Sequence, residues 1–288
     1  MIQVPDKYIS PLSEDALREA CRKIRHVALD MDGTIYLGST LFPFTKDFLA
    51  GLTEMGISYS FLTNNPTRSI SDYLAKLAKL GIEATPENMY TTAVATIDYL
   101  KARMPEAKRL YVVGTPSMEA EFIQAGFELT ATDATEMPDC LVVAFDTTLT
   151  YDKLCRAAYL ASKGVPYIAT NPDRVCPTDQ ETVLVDCGSL CQAIEHATGR
   201  QPDLVIGKPN PDMLSGIRYR HNLQADEIAM CGDRIYTDVA MAVNAGALGV
   251  LVLSGETTLD TALNAERVPD IIARDVAAFG EMLKEFKK

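Results

Sequence analysis

The sequence predicts an α/β fold: a parallel sheet with helices on both faces, and a second, smaller α/β domain inserted into it. Three observations lead there. Short apolar runs alternate with amphipathic segments along most of the chain, the rhythm of strand–helix–strand units. There are more such runs than one small sheet needs. The 288 residues are enough for one large or two modest domains.

Taken in order, HVALD reads as a buried strand. TKDFLAGLTEM reads as a helix, with Thr45 as its N-cap and Gly56 just past its end. ISYSFLT is the next strand. SISDYLAKLAKLG is the next helix, apolar at Ile70, Tyr73, Leu74, Leu77 and Leu80. In the middle, RLYVVG, CLVVAFD and VPYIATN read as strands, with SMEAEFIQAGF and YDKLCRAAYLASKG as helices between them. DLVIGK, EIAMCGD and ALGVLVLSG supply the strands of the last third. The expected division is a core of residues 1–91 and 188–288, interrupted by an α/β insertion over 92–187.

Composition narrows the function. Hydrophobic residues make up 47% and charged residues 23%, ordinary for a globular protein. The net charge of −12 argues against a nucleic-acid partner, which needs a basic excess to neutralise phosphates. The first 25 residues mix charges and show no apolar signal core, and GALGVLVLSG is too short to span a bilayer. Seven cysteines without a CxxC pair fit reduced thiols, so a cytoplasmic location with no membrane partner is expected. Cys187, Cys191 and His196 lack the spacing of a structural zinc site and read as helix residues.

Four polar motifs sit at the carboxyl ends of the expected strands, where open α/β sheets place their ligands. In VALDMDGT, Asp30 and Asp32 are two apart and are expected to project to one side of an extended segment. Paired carboxylates repel unless a cation sits between them, and a hard divalent ion, Mg²⁺ above all, takes oxygen ligands of this kind. FLTNNPTRS puts Thr63 and Asn64 between a strand end and a helix start, suited to phosphate oxygens. VIGKPNPDM pins Lys208 between an apolar run and prolines, a candidate phosphate clamp. MCGDRIYTDVAMAVNAG adds Asp233 as a third carboxylate for the metal and Asp238 as a supporting acceptor. Taken singly, each motif is also an ordinary turn or cap; their coincidence at one rim marks a site.

In family order, DMDGT, LTNN, GKP and GDRIYTD resemble the four signatures of the haloacid dehalogenase superfamily. The phrases DGTIYLGSTLFP, IATNPD, AIEHATGRQP and IGKPNPDM resemble its NagD-like or p-nitrophenylphosphatase-like branch, over nearly the whole chain beyond about residue 25. The resemblance implies a Rossmann-like core with an α/β cap between the second and third signatures. It implies an Mg²⁺-dependent phosphatase of small phosphomonoesters, such as a sugar phosphate, a nucleotide or a cofactor phosphate. Asp30 would be the nucleophile and Asp32 the acid and base. Asp30, the backbone carbonyl of Asp32, and Asp233 would hold Mg²⁺. Thr63, Asn64 and Lys208 would bind the phosphoryl group, with Asn65 near the substrate and Asp238 and Thr34 in support. The partner would be a small phosphorylated metabolite; a homo-oligomer is compatible with this reading. VDCGSL stands where the family often has a Pro-Gly-x-Gly-Ala-like turn, and the loop TNPDRVCPTDQET is this chain's own. In that loop Asp173, Arg174 and Cys176 are candidates to touch substrate. The competing readings are a phosphotransferase of the same family and a phosphometabolite-binding protein without catalysis. Retention of nucleophile, acid and metal ligands weighs against the second.

Overall fold

The computed structural model describes residues 8–176 and 181–288. The chain divides into two compact units. One comprises the chain up to Leu62, Leu74–Tyr90 and Lys208–Lys288; the other comprises Thr63–Tyr73 and Thr91–Gly207.

The first unit is built on a seven-stranded sheet. Its strands run in the order Tyr8–Ile9, Ile271–Ala273, Leu248–Val252, Ile228–Gly232, His26–Asp30, Ser58–Thr63 and Met89–Thr91. The five from Ile271–Ala273 to Ser58–Thr63 are parallel, and Tyr8–Ile9 joins antiparallel at the edge. The central strands Ile228–Gly232 and Leu248–Val252 are buried along their whole length, as strands covered on both faces must be. The helices Glu14–Lys23, Thr45–Glu54 and Val276–Phe286 pack together, and Asp212–His221 packs on Ala240–Ala245. Thr45 does not cap its helix: Phe44 holds the cap position without a side-chain bond. Thr45 Oγ1 instead donates to Ile35 O at 2.7 Å, inside the core.

The second unit has its own five-stranded parallel sheet. The order is Leu204–Val205, Tyr167–Ala169, Cys140–Val143, Arg109–Val113 and Glu128–Leu129. Tyr111, Val143, Leu160, Tyr167, Cys187 and Ile194 belong to one core cluster in it. Cys187 and Cys191 are thus core residues of the helix Cys187–Thr198. The unit ends at Gly207, whereas the sequence placed the return at 188. Leu204–Val205 pairs with Ile168–Ala169, and a two-residue apolar run carries no mark of which sheet it will join. No helix among the described residues is long and apolar enough to cross a membrane.

Candidate active site

Parallel register brings the motifs to one rim of the first sheet. Leu29 pairs with Cys231, and Asp30 pairs with Leu62. Asp30 therefore lies beside the strand end that leads into Asp233 on one side and into Thr63 on the other. Lys208 arrives differently from the expectation, because the strand before it lies in the other sheet. Lys208 is 4% exposed, and Nζ donates to Asp30 Oδ1 and, at 2.7 Å, to Asp238 Oδ1.

Asp238 is held in a single π-helical turn, Ile235–Val239, which feeds the helix Ala240–Ala245. Such turns recur at functional sites because they redirect one side chain. Here the Asp238 carboxylate folds back over Gly232, where a Cβ would collide with it, and Oδ2 accepts from Arg234 N at 3.2 Å. Both Asp238 oxygens are thus engaged, one by Lys208 and one by the backbone.

Carboxylate oxygens of Asp30, Asp233 and Asp238 lie within 4.8 Å of one another. Burial alone would lower the Lys208 pKa, but Asp238 and Asp30 outweigh it and hold the ammonium charged, above the usual lysine range. Burial, reinforced by Asp30, pushes the Asp233 carboxyl up to about 6, against the pull of the Glu256 backbone N–H. Asp233 Oδ2 accepts from Glu256 N at 2.7 Å, while Oδ1 is buried without a hydrogen-bond partner. A buried carboxylate oxygen left this way is costly, and a divalent cation resolves it. The donor set is all oxygen, with Asp238 committed elsewhere, so Asp30 and Asp233 are the side chains that fit such an ion.

Asp32 does not join this cluster with its side chain. The strand stops at Asp30, and Thr34 N, Ile35 N and Tyr36 N all turn back onto Met31 O. The two-residue alternation therefore does not extend past the strand end. Asp32 is exposed, with Oδ1 accepting from Gly38 N at 3.5 Å. Thr34 is fully buried and its hydroxyl has no hydrogen-bond partner.

The segment after Thr63 belongs to the second unit. Thr63 Oγ1 accepts from Asn65 N at 3.1 Å, and Asn65 Oδ1 accepts from Thr67 N at 3.0 Å, so successive side chains fold this loop. Asn64 Nδ2 donates to Asp173 Oδ2 at 3.1 Å, and Asn65 Nδ2 lies 3.6 Å from Cys176 Sγ. The structure thus joins two motif asparagines to two of the three loop candidates. Arg174 is exposed, and its backbone oxygen accepts from Ser189 Oγ at 2.7 Å. Residues 177–180 of that loop lie outside the described residues.

One part of the rim was not anticipated. The loop after the strand Leu248–Val252 closes over Asp233. Ser254 Oγ donates to Gly33 O at 2.7 Å, and Thr257 N donates to Asp233 O at 3.2 Å. A Cβ on Gly33, whose φ is +87°, would come 2.5 Å from Asp233 Oδ2, and one on Gly255 would strike the same oxygen. The signal was present: SGET follows an apolar run, just as the four motifs do.

Comparison with known proteins places this rim. Residues 27–128 match the model of a haloacid dehalogenase-like hydrolase family, and residues 205–279 match a second, HAD-hydrolase-like model. The ribonucleotide monophosphatase NagD of Escherichia coli is 33% identical over 237 residues, covering 82% of this chain and 90% of that protein. A 4-nitrophenylphosphatase from Thermotoga maritima superposes with a TM-score of 0.85 at 37% identity, over 91% of this chain and 98% of that one. A glycerol phosphate phosphatase from Mycobacterium tuberculosis, solved in complex with magnesium, gives a TM-score of 0.82 at 28% identity, over 91% and 78%. This chain is a phosphoric monoester hydrolase. It belongs to the haloacid dehalogenase-like hydrolases, in their NagD-like branch.

Proposed function

We propose that the protein is an Mg²⁺-dependent phosphatase of small phosphomonoesters that works through an aspartyl-phosphate on Asp30. The observation that carries this reading is the buried, charged Lys208 bonded to Asp30 and Asp238, beside an Asp233 oxygen with no partner. Asp30, the backbone carbonyl of Asp32, and Asp233 would hold Mg²⁺, which when bound neutralises charge on the phosphoryl oxygens.

A carboxylate meeting a phosphate dianion at ~4 Å faces roughly 8 kcal/mol of repulsion at an effective dielectric near 20. Left uncompensated, that is on the order of a 10⁵- to 10⁶-fold loss of rate. Lys208 offsets part of it, and Asp238 keeps the lysine aimed and charged. Thr63 and Asn64 donate to phosphoryl oxygens and set the ester in line with Asp30. Asp30 attacks phosphorus, and Asp32 gives its proton to the leaving oxygen. Asp32 then takes a proton from water, which cleaves the acyl phosphate and restores Asp30. The exposure of Asp32 suits that exchange.

The second unit acts as a cap that selects the leaving group, through the loop that carries Asp173, Arg174 and Cys176. The names of the relatives span a ribonucleotide, an aryl ester and a glycerol phosphate, so the class is small phosphorylated metabolites. The test is a screen of phosphate esters by phosphate release, with Mg²⁺ and with chelator. Turnover should stop on chelation and in Asp30→Asn, with the fold retained. Full activity in metal-free buffer, or a trapped phosphoryl group found by mass spectrometry on a residue other than Asp30, would overturn the reading.

A further inference from the structure

Arg234, Tyr236 and Glu256 are gathered beside Asp233 and have no part in the proposed reaction. We propose that Glu256 is a positioning residue for the metal ion: clasped to Arg234 and Tyr236, it fixes the Asp233 carboxylate so that the site takes Mg²⁺ in preference to the larger Ca²⁺. The inference rests on the reading that Asp233 is a metal ligand.

Glu256 holds Asp233 with its backbone and the segment after Asp233 with its side chain. Its N–H donates to Asp233 Oδ2 at 2.7 Å. Its Oε1 accepts from Tyr236 Oη at 2.8 Å, and its Oε2 lies 2.9 Å from Arg234 Nε in an ion pair. The far side of the clasp is itself anchored. Arg234 N donates to Asp238 Oδ2 at 3.2 Å, and Arg234 O accepts from Asp238 N at 3.1 Å and from Val239 N at 3.2 Å. Tyr236 sits in the π-helical turn Ile235–Val239 that carries Asp238. All of these residues belong to the first unit.

The two oxygens of Asp233 are thereby made unequal. Oδ2 is enclosed by the Glu256 N–H and by Gly33 and Gly255, at each of which a Cβ would strike it. Oδ1 is buried without a hydrogen-bond partner. Tilting the carboxylate would give up the Glu256 N–H, so Oδ1 keeps one direction. Ser254 Oγ, donating to Gly33 O at 2.7 Å, and Thr257 N, donating to Asp233 O at 3.2 Å, tie the backbone of the loop on either side of this bond. Among the side chains from Ser254 to Thr257, Glu256 is the one that bonds Arg234 and Tyr236.

Mg²⁺ is the ion that gains from a fixed oxygen. It demands near-octahedral ligands at about 2.0–2.1 Å, whereas Ca²⁺ accepts more oxygens, at about 2.3–2.6 Å, in flexible geometry. A carboxylate already held to one direction offers a single oxygen to the smaller ion with no further ordering. A loosened one can swing to meet a larger ion with both oxygens. The Arg234–Glu256 pair adds little to stability, because its side chains are 32% and 48% exposed. Its consequence is the aim of Asp233.

The test titrates full-length protein, stripped by chelator, with MgCl₂ and with CaCl₂ in a calorimeter. Glu256→Ala should raise the Mg²⁺ dissociation constant on the order of tenfold, the scale of one hydrogen bond to an ionic group, and the Ca²⁺ constant by less than about threefold. Tyr236→Phe removes one bond of the clasp without changing any charge. It should weaken Mg²⁺ by about threefold, and should add nothing in the Glu256→Ala background, because both act through one clasp. If Glu256 served only as a negative charge near the ion, Glu256→Ala would weaken both ions alike and Tyr236→Phe would weaken neither. If it served only to hold the loop, both variants would melt lower without metal and keep both constants. Either result overturns the proposal, and Tyr236→Phe still decides should Glu256→Ala not fold. Asp233→Asn is run alongside. If it binds Mg²⁺ like the parent, the reading of Asp233 as a ligand falls and takes the proposal with it; if it loses Mg²⁺ while the Glu256 and Tyr236 variants bind like the parent, the proposal alone falls.

Discussion

His26 opens the strand that ends at Asp30, and it is fully buried. Its Nδ1 lies 2.8 Å from Ser58 Oγ, its Nε2 has no partner, and its ring lies 4.5 Å from that of His221. Burial, with a smaller contribution from His221, pushes its pKa down to about 3. The unfolded chain holds histidine near 6.5, so between those values the unfolded state binds more protons and stability rises with pH. The penalty is absent above about pH 6.5 and grows by roughly 1.4 kcal/mol for each unit below it. At pH 5 it amounts to about 2 kcal/mol, a large share of the stability of an ordinary domain. His26→Phe removes the proton site while keeping an aromatic ring against His221. Calorimetric melting of parent and variant at pH 7 and pH 5 reads the difference, and groups common to both proteins cancel. The variant is expected to start lower at pH 7, having lost the Ser58 contact, and to lose less on acidification by about 2 kcal/mol. Equal losses in the two proteins would refute the reasoning.

Three further outcomes follow from the site. Lys208→Met should destabilise the metal-free protein by about 3–5 kcal/mol in urea, since two carboxylates lose their buried cation, and adding Asp238→Asn should recover part of that. Gly255→Ala should weaken Mg²⁺ binding, read by calorimetry, because its methyl group displaces the Asp233 carboxylate; an unchanged affinity would show that the loop does not aim this oxygen. Replacing Arg174 and Cys176 should reorder kcat/KM among natural phosphate esters more than it alters p-nitrophenyl phosphate turnover. Lys208→Ala should instead depress all substrates together, and a substrate panel separates the two patterns.

Strand identity was legible because it is local. HVALD spans the strand His26–Asp30, and polar residues directly after apolar runs located Asp30, Asp233 and Lys208. What escaped depended on partners distant in sequence. Nothing in Leu204–Val205 says that it pairs with Ile168–Ala169. Alternation predicted that Asp32 would follow Asp30, but the chain turns on Met31 O before the second carboxylate is reached. Thr45 has the chemistry of a cap and spends it on Ile35 O, a bond that exists only once the core has closed. The Asp173 contact with Asn64 joins residues that no spacing rule connects.

The order in which the ribosome delivers this chain follows from its sheets. The strand His26–Asp30 emerges early, yet its neighbour Ile228–Gly232 and the ammonium of Lys208 come only after the whole five-stranded sheet of the second unit has been made. That sheet has all its strands in hand by Val205, so its pairing can finish while the first sheet still waits for three of its seven strands. During that interval the apolar edge of His26–Asp30 is unpaired on the side Ile228–Gly232 will take, and the growing chain is exposed to mispairing there. Asp30 likewise stays without its lysine until translation has entered the last third of the message. The Asp30 carboxylate is therefore synthesised well before Lys208, the cation it will bond.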